Sequence, residues 1–110
     1  MDKQCTITLD EGDLMILASA VYSDAETTRN YSLEQLNEPL KQGETQKEIT
    51  EGYTATMELY RGYINLFMDE AAKHQSAAQA KVTRKWRADR NAALDFYIAQ
   101  YKREVKKRGR

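Results

Sequence analysis

Few side chains in this sequence are equipped for covalent chemistry. There is one histidine, His74, and one cysteine, Cys5. Nucleophilic catalysis would need Cys5 or a serine activated by His74, and no local pattern marks such a pair. Neither a phosphate-binding P-loop nor a dinucleotide glycine fingerprint is present. Glu70 and His74 stand four apart, a spacing that places them on one helix face as metal ligands often are. The carboxylate-bridged bundle motif instead spaces Glu and His three apart and needs two histidines, so a surface ion pair is the better reading. Asp10-Glu11-Gly12-Asp13 lacks the alternating oxygen ligands and distal glutamate of a calcium loop. Its acids suit the positive end of a helix that starts there. The sequence therefore reads as a protein that is not an enzyme and uses neither cofactor nor metal.

Binding chemistry is better represented. Over residues 78–107 the sequence is amphipathic, with Lys81, Arg84, Lys85, Lys102, Arg103, Lys106 and Lys107 on one arc. Such an arc could neutralise phosphates along a nucleic acid, with Phe96 or Trp86 near enough to stack on a base. The overall pI of about 6.6 lacks the basicity usual for that role, so a solvated helix face reads equally well. The opposite arc holds Val82, Trp86, Ala93, Leu94, Tyr97, Ile98, Tyr101 and Val105, with Arg90 in its middle. A guanidinium among apolar side chains calls for a carboxylate, Glu58 first and then Asp24 or Glu26. Otherwise Arg90 stays exposed because that arc is itself a partner-binding surface. The candidate partner-binding residues are thus Lys81, Arg84, Lys85, Arg90, Phe96, Lys102, Arg103, Lys106 and Lys107.

Elements that would position these residues can be read from the spacing of apolar and capping residues. The alternation of residues 4–9 suggests a short strand or an extended arm over 1–9. A helix begins at Thr8 or Asp10, where Thr8 and Glu11 have capping-box spacing, and ends near residues 27–30. A second start is expected at Ser32-Leu33-Glu34-Gln35, with Leu33, Leu36 and Leu40 facing inward and Pro39 keeping that helix short. Thr45-Gln46-Lys47-Glu48 opens a long helix whose inner face carries Ile49, Tyr53, Met57, Tyr60, Ile64, Phe67, Met68 and Ala71. Gly52 and Gly62 lie on its flank and suggest that another backbone packs closely there. A turn near residues 74–78, with Ser76 and Gln79 in capping-box spacing, makes a hairpin the favoured path over one continuous helix from 45 to 107. Residues 106–110 form a basic tail expected to fray.

Composition sets the class. With 41% hydrophobic and 31% charged residues, one proline and five glycines in 110 residues, this is a helical composition able to bury one core. A single all-α domain is expected, a bundle of three or four helices around the long helix, with a basic amphipathic C-terminal helix. Trp86, Tyr60, Ile64 and Phe67 are its expected large core residues. No apolar run approaches the roughly 20 residues of a membrane span. The absence of a basic-then-apolar start and the lone Cys5 point to a cytoplasmic location.

The zero formal net charge hides a division. Residues 1–70 hold 14 acidic and 5 basic side chains, whereas residues 71–110 hold 3 and 12. Either the basic end folds back on the acidic remainder, or each half meets a charged partner. The leading expectation is regulatory binding to another protein, with a homodimer as a further way to cover apolar surface. Two rivals follow from charge: a nucleic-acid-binding protein using the last helix, and an inhibitor whose acidic first two-thirds occupies the groove of a nucleic-acid-processing enzyme.

Overall fold

Asp10, rather than Thr8, caps the first helix. Its carboxylate accepts from the Asp13 amide at 2.8 Å, while Asp13 accepts from the Asp10 amide at 3.1 Å. In this computed structural model, which describes residues 3–110, helix α1 runs from Glu11 to Gln35, α2 from Gln46 to Lys73 and α3 from Ala77 to Lys107. Residues 3–10 are exposed and form no strand, and Met1 and Asp2 of the expected arm lie outside the described residues. The chain is all-helical, its three helices packed against one another, and none of them among the described residues is long and apolar enough to cross a membrane.

Helix α1 passes through the start signal at Ser32 without breaking. Its inner positions explain this: Leu14, Ala18 and Ala25 are buried, and Leu33 and Leu36 continue the same packed face. Continued burial outweighs a local cap, since propensity is a weak prior against packing. Proline at 39 disfavours helix at Glu38, and the chain turns there. Leu40, expected to face inward, lies outside this helix and is exposed. Gly43 adopts φ +85°, a conformation that side chains with a Cβ rarely take, and Thr45 then caps α2 by accepting from the Glu48 amide at 3.2 Å. After His74 the chain turns back, and Ser76 caps α3 through the Gln79 amide at 3.2 Å. The hairpin, not the continuous helix, is what forms. At residues 108–110, where the sequence suggests fraying, Arg108 and Arg110 each donate to the Leu36 carbonyl, and Arg110 also reaches that of Glu38.

All three helices supply the core. Ala25, Met57, Ile64, Leu94 and Tyr101 are almost wholly buried. Five small alanines, Ala18, Ala25, Ala71, Ala72 and Ala80, are buried as well and let the backbones approach closely. Ile64 is buried as expected, Tyr60 and Phe67 are partly so, but Trp86 is 44% exposed. The reason is that α1 and α3 each pack extensively on α2 and meet each other only sparsely, so no helix covers Trp86. Gly52 and Gly62 also depart from expectation, because a Cβ built at either would touch nothing within 4 Å.

Tyrosines carry much of the interior, and their hydroxyls find partners there. Tyr53 donates to the Tyr97 carbonyl at 3.1 Å and stacks on Tyr101 with ring centroids 4.3 Å apart. Tyr101 accepts from the buried Gln46 amide at 3.0 Å, and Tyr22 and Tyr97 share a hydroxyl–hydroxyl bond of 2.9 Å. Burial pushes the Tyr53 and Tyr97 phenols up to about 12 from an ordinary 10. A phenol harder to ionise in the folded state than in the unfolded one gives stability that is complete below pH 10 and is lost as pH rises toward 12. Alkaline titration followed by circular dichroism should therefore show the protein weakening across that window. The double substitution Tyr53→Phe with Tyr97→Phe should flatten this pH slope. An unchanged slope would show that other groups drive alkaline unfolding.

Candidate partner-binding cleft

Arg90 does not meet the carboxylate expected for it. Glu58 instead pairs with Arg61 of its own helix at 3.0 Å. Arg61 also donates to the carbonyl and side-chain oxygens of Asn91 at 3.2 and 2.9 Å, and it forms an ion pair with Asp95. Burial works against the Arg61 charge, but its bonds to Glu58 and Asp95 more than offset that and raise its pKa. Arg61 thus fixes the register of α2 against α3 and takes the carboxylate expected for Arg90. Glu58 is taken by simple reach: Arg61, three residues on along the same helix, is nearer to it than a cation across the bundle.

What Arg90 has instead is an aromatic ring. Its guanidinium carbon sits 5.2 Å from the centroid of Tyr22 on α1, and Arg29 of α1 sits 4.3 Å from the centroid of Tyr97 on α3. With the Tyr22–Tyr97 hydroxyl bond, these four side chains make a belt joining the two helices where they do meet. A second tie stands near the start of both helices, where Gln75 donates to Glu11 and accepts from Thr83, each at 2.6 Å. Between the ties α1 and α3 stand apart. The gap is a cleft of about 230 Å³ lined by Met15, Ala18, Ser19, Ile64, Met68, Trp86 and Arg90. Its floor is apolar, from Ile64 and Met68 of α2, and Trp86 and Arg90 form one wall one helical turn apart. Beyond Arg90 a shallower recess continues past Ser19, Tyr22, Ser23 and Glu26. Glu26 thus borders the same surface as Arg90, but neither it nor Asp24 forms an ion pair among the described residues.

The remaining candidate residues lie elsewhere. Lys81, Arg84, Lys85, Phe96, Lys102, Arg103, Lys106 and Lys107 are all exposed on α3. Among the described residues only Lys107 of these finds an ion-pair partner, Glu104 of its own helix at 4.0 Å. Among the described residues, the one ion pair between separate helices that joins a cation of the basic end to an acid of the first 70 residues is Arg87 with Asp69 at 2.7 Å, and Arg61 with Asp95 runs the other way. The cations also form two groups rather than one stripe. From Lys85 to Lys102 is about 25 Å along the helix at 1.5 Å per residue, and Asp89 and Asp95 lie between them. Arg90 is on the far side of α3 from both groups.

The sequence's one histidine stands beside a carboxylate on the surface of α2. His74 approaches Glu70 at 3.4 Å, and Lys73 takes the same carboxylate at 3.0 Å. Lys73 first, and His74 after it, hold the Glu70 carboxyl below the usual range. Among the described residues no three His, Cys, Asp or Glu side chains gather as a metal site would require. Replacing His74 with alanine should leave the melting curve unaltered, because its exposed ring makes only this screened contact. A lowered Tm would mean that His74 supports the α2–α3 turn.

Sequence reasoning placed Trp86 in the core and did not single out Met15, Ser19 or Tyr22. One signal was available in Trp86 and Arg90 at i and i+4, a pair that interrupts an apolar arc with the two side-chain types most enriched where proteins bind one another. Comparison with protein-family models, curated proteins and solved structures finds no match to this chain.

Proposed function

We propose that this protein is a non-catalytic binding protein, built round α2 as a central helix, that grips another protein in the cleft between α1 and α3. The carrying observation is Trp86, 44% exposed beside Arg90 over the apolar floor of Ile64 and Met68. Large side chains left open in this way, with Met, Tyr and Arg around them, have the composition of an interface centre. Arg90 suits the role because the Tyr22 face holds its charge while leaving its five donors largely free. A partner segment offering an apolar side chain to the floor and a carboxylate or carbonyl to Arg90 would complete both.

The test is comparative capture. Immobilised wild type should retain a partner that Trp86→Ala and Arg90→Met both lose, and that a triple reversal of Lys102, Arg103 and Lys106 to glutamate keeps. Retention by the two cleft variants with loss in the triple reversal would move the function to the outer face of α3.

That outer face supports a second reading, nucleic-acid contact, because its cations are left almost entirely outside ion pairs. Two groups about 25 Å apart would meet phosphates separately rather than track a backbone. Binding to duplex DNA or RNA, measured by fluorescence anisotropy, would then fall with salt at a slope set by three or four phosphates, roughly −3 to −4 on a log–log plot. No salt-dependent binding to either duplex would remove this reading.

A further inference from the structure

Helix α2 has a second apolar face, on the side roughly opposite Ile64 and Met68, and no helix among the described residues covers it. Leu59 and Leu66 are 58% and 59% exposed there, with Tyr63 beside them. Gly52, Ala55, Leu59, Gly62 and Leu66 follow one another at steps of three and four, the repeat of a coiled-coil seam. Glycine is the poorest helix former after proline, and neither Gly52 nor Gly62 is required by internal packing, since a Cβ on either would meet nothing. The small residues on this seam lack a reason within one chain.

We propose that a second copy of this chain supplies it, pairing antiparallel with the first along α2 to form a two-fold symmetric dimer. Antiparallel seams set each residue against one whose number gives a constant total, and a two-fold axis level with the midpoint of Tyr60 and Arg61 places Leu59 against Gly62 of the second copy. The same register sets Leu66 against Ala55. Every large side chain on the stripe then meets a small one, and by symmetry each contact occurs twice. At the ends Glu48 faces Lys73, so the charges complement each other as well as the shapes. The seam from Glu48 to Lys73 is about 37 Å long.

Other arrangements lose this match. A parallel, in-register pairing sets glycine on glycine, leaving voids, and brings Glu48, Asp69 and Lys73 each against its own kind. Sliding the antiparallel pair by one heptad sets Glu48 against Leu66, or Leu59 against Asp69. The seam is on the opposite side of α2 from the α1–α3 cleft, so the dimer would leave two open clefts, and its existence does not depend on what the cleft binds.

Sedimentation equilibrium across the micromolar range is the first measurement, and the wild type should be dimeric. Leu59→Glu should make it monomeric with unaltered helicity, since that side chain is largely exposed and glutamate is a good helix former. Gly62→Leu is the sharper test. It should raise the thermal stability of the isolated chain, because leucine is the better helix former, yet weaken association by roughly tenfold or more by filling the space that Leu59 of the second copy occupies. Register is checked by charge: Glu48→Lys and Lys73→Glu should each weaken the dimer, and the two together should restore it. A monomeric wild type, tighter association in Gly62→Leu, or no restoration in the charge exchange would each overturn the proposal.

Discussion

Tyr101→Ala is expected to cost about 3–5 kcal/mol of stability, the range for removing a large buried aromatic side chain. Tyr101 is 1% exposed, and three separate losses coincide on it. Truncation opens a cavity at the end of the bundle where α3 meets the start of α2. It removes the ring against which Tyr53 stacks at 4.3 Å. It also strips the buried Gln46 amide of a hydroxyl 3.0 Å away, leaving Thr50 at 3.2 Å as its remaining partner. In a domain near the low end of the ordinary range, about 5 kcal/mol, a loss of that size would leave a substantial unfolded population. Tyr101→Phe separates the parts. It keeps the ring and removes only the hydroxyl, so it should cost about 1–2 kcal/mol, with the penalty arising from Gln46 rather than from packing. Urea unfolding of the two variants measures both numbers. Equal losses for Phe and Ala would mean that the hydrogen bond, not the ring, holds this end of the bundle.

Much of this core was legible from spacing, and the pattern of success has a physical cause. Tyr53, Met57, Ile64 and Met68 on α2 repeat at four and seven residues, and all are buried. Thr45 and Ser76, whose spacing to Glu48 and Gln79 marks helix starts, cap α2 and α3. Those signals are local, since a cap concerns groups within a single turn. Ser32 has the same local signal and fails, because Leu33 and Leu36 gain more by continuing α1 against the core. Trp86 fails for a longer-range reason. Its position on the apolar arc of α3 is right, but burial there depends on how closely α1 approaches, and that distance is set by contacts elsewhere, at the Tyr22–Tyr97 belt and the Glu11–Gln75–Thr83 tie. Periodicity within one helix carries no information about such a gap. Arg90 shows the same limit. Its need for a partner was legible, whereas the choice of an aromatic face over a carboxylate was decided by Arg61, whose Glu58 lies one turn away on the same helix.

Trp86→Ala should lower affinity for a cleft partner by about 2–4 kcal/mol, roughly 30- to 1000-fold, while costing the free protein much less. The asymmetry follows from exposure. With 44% of its surface open, Trp86 gives the isolated chain only part of the packing that a buried indole would, so truncation should cost about 1–2 kcal/mol of stability. The exposed part is what a partner would cover, and covering it removes apolar surface from water at the centre of the site, where a single anchor has its greatest effect. Arg90 sharpens the distinction. Arg90→Met keeps an unbranched side chain over Tyr22 but deletes the charge, so its stability should change little, since the guanidinium has no carboxylate to strand. Binding should fall by a comparable amount if the partner presents an acceptor. Arg90→Lys, which preserves charge but not the planar fork, should recover only part of that loss. These outcomes are read by titration calorimetry on the captured partner together with melting curves of each variant. A Trp86→Ala protein that binds normally would remove the cleft from the function. One whose stability falls as far as that of Tyr101→Ala would show instead that Trp86 belongs to the core and that the gap beside it closes in solution.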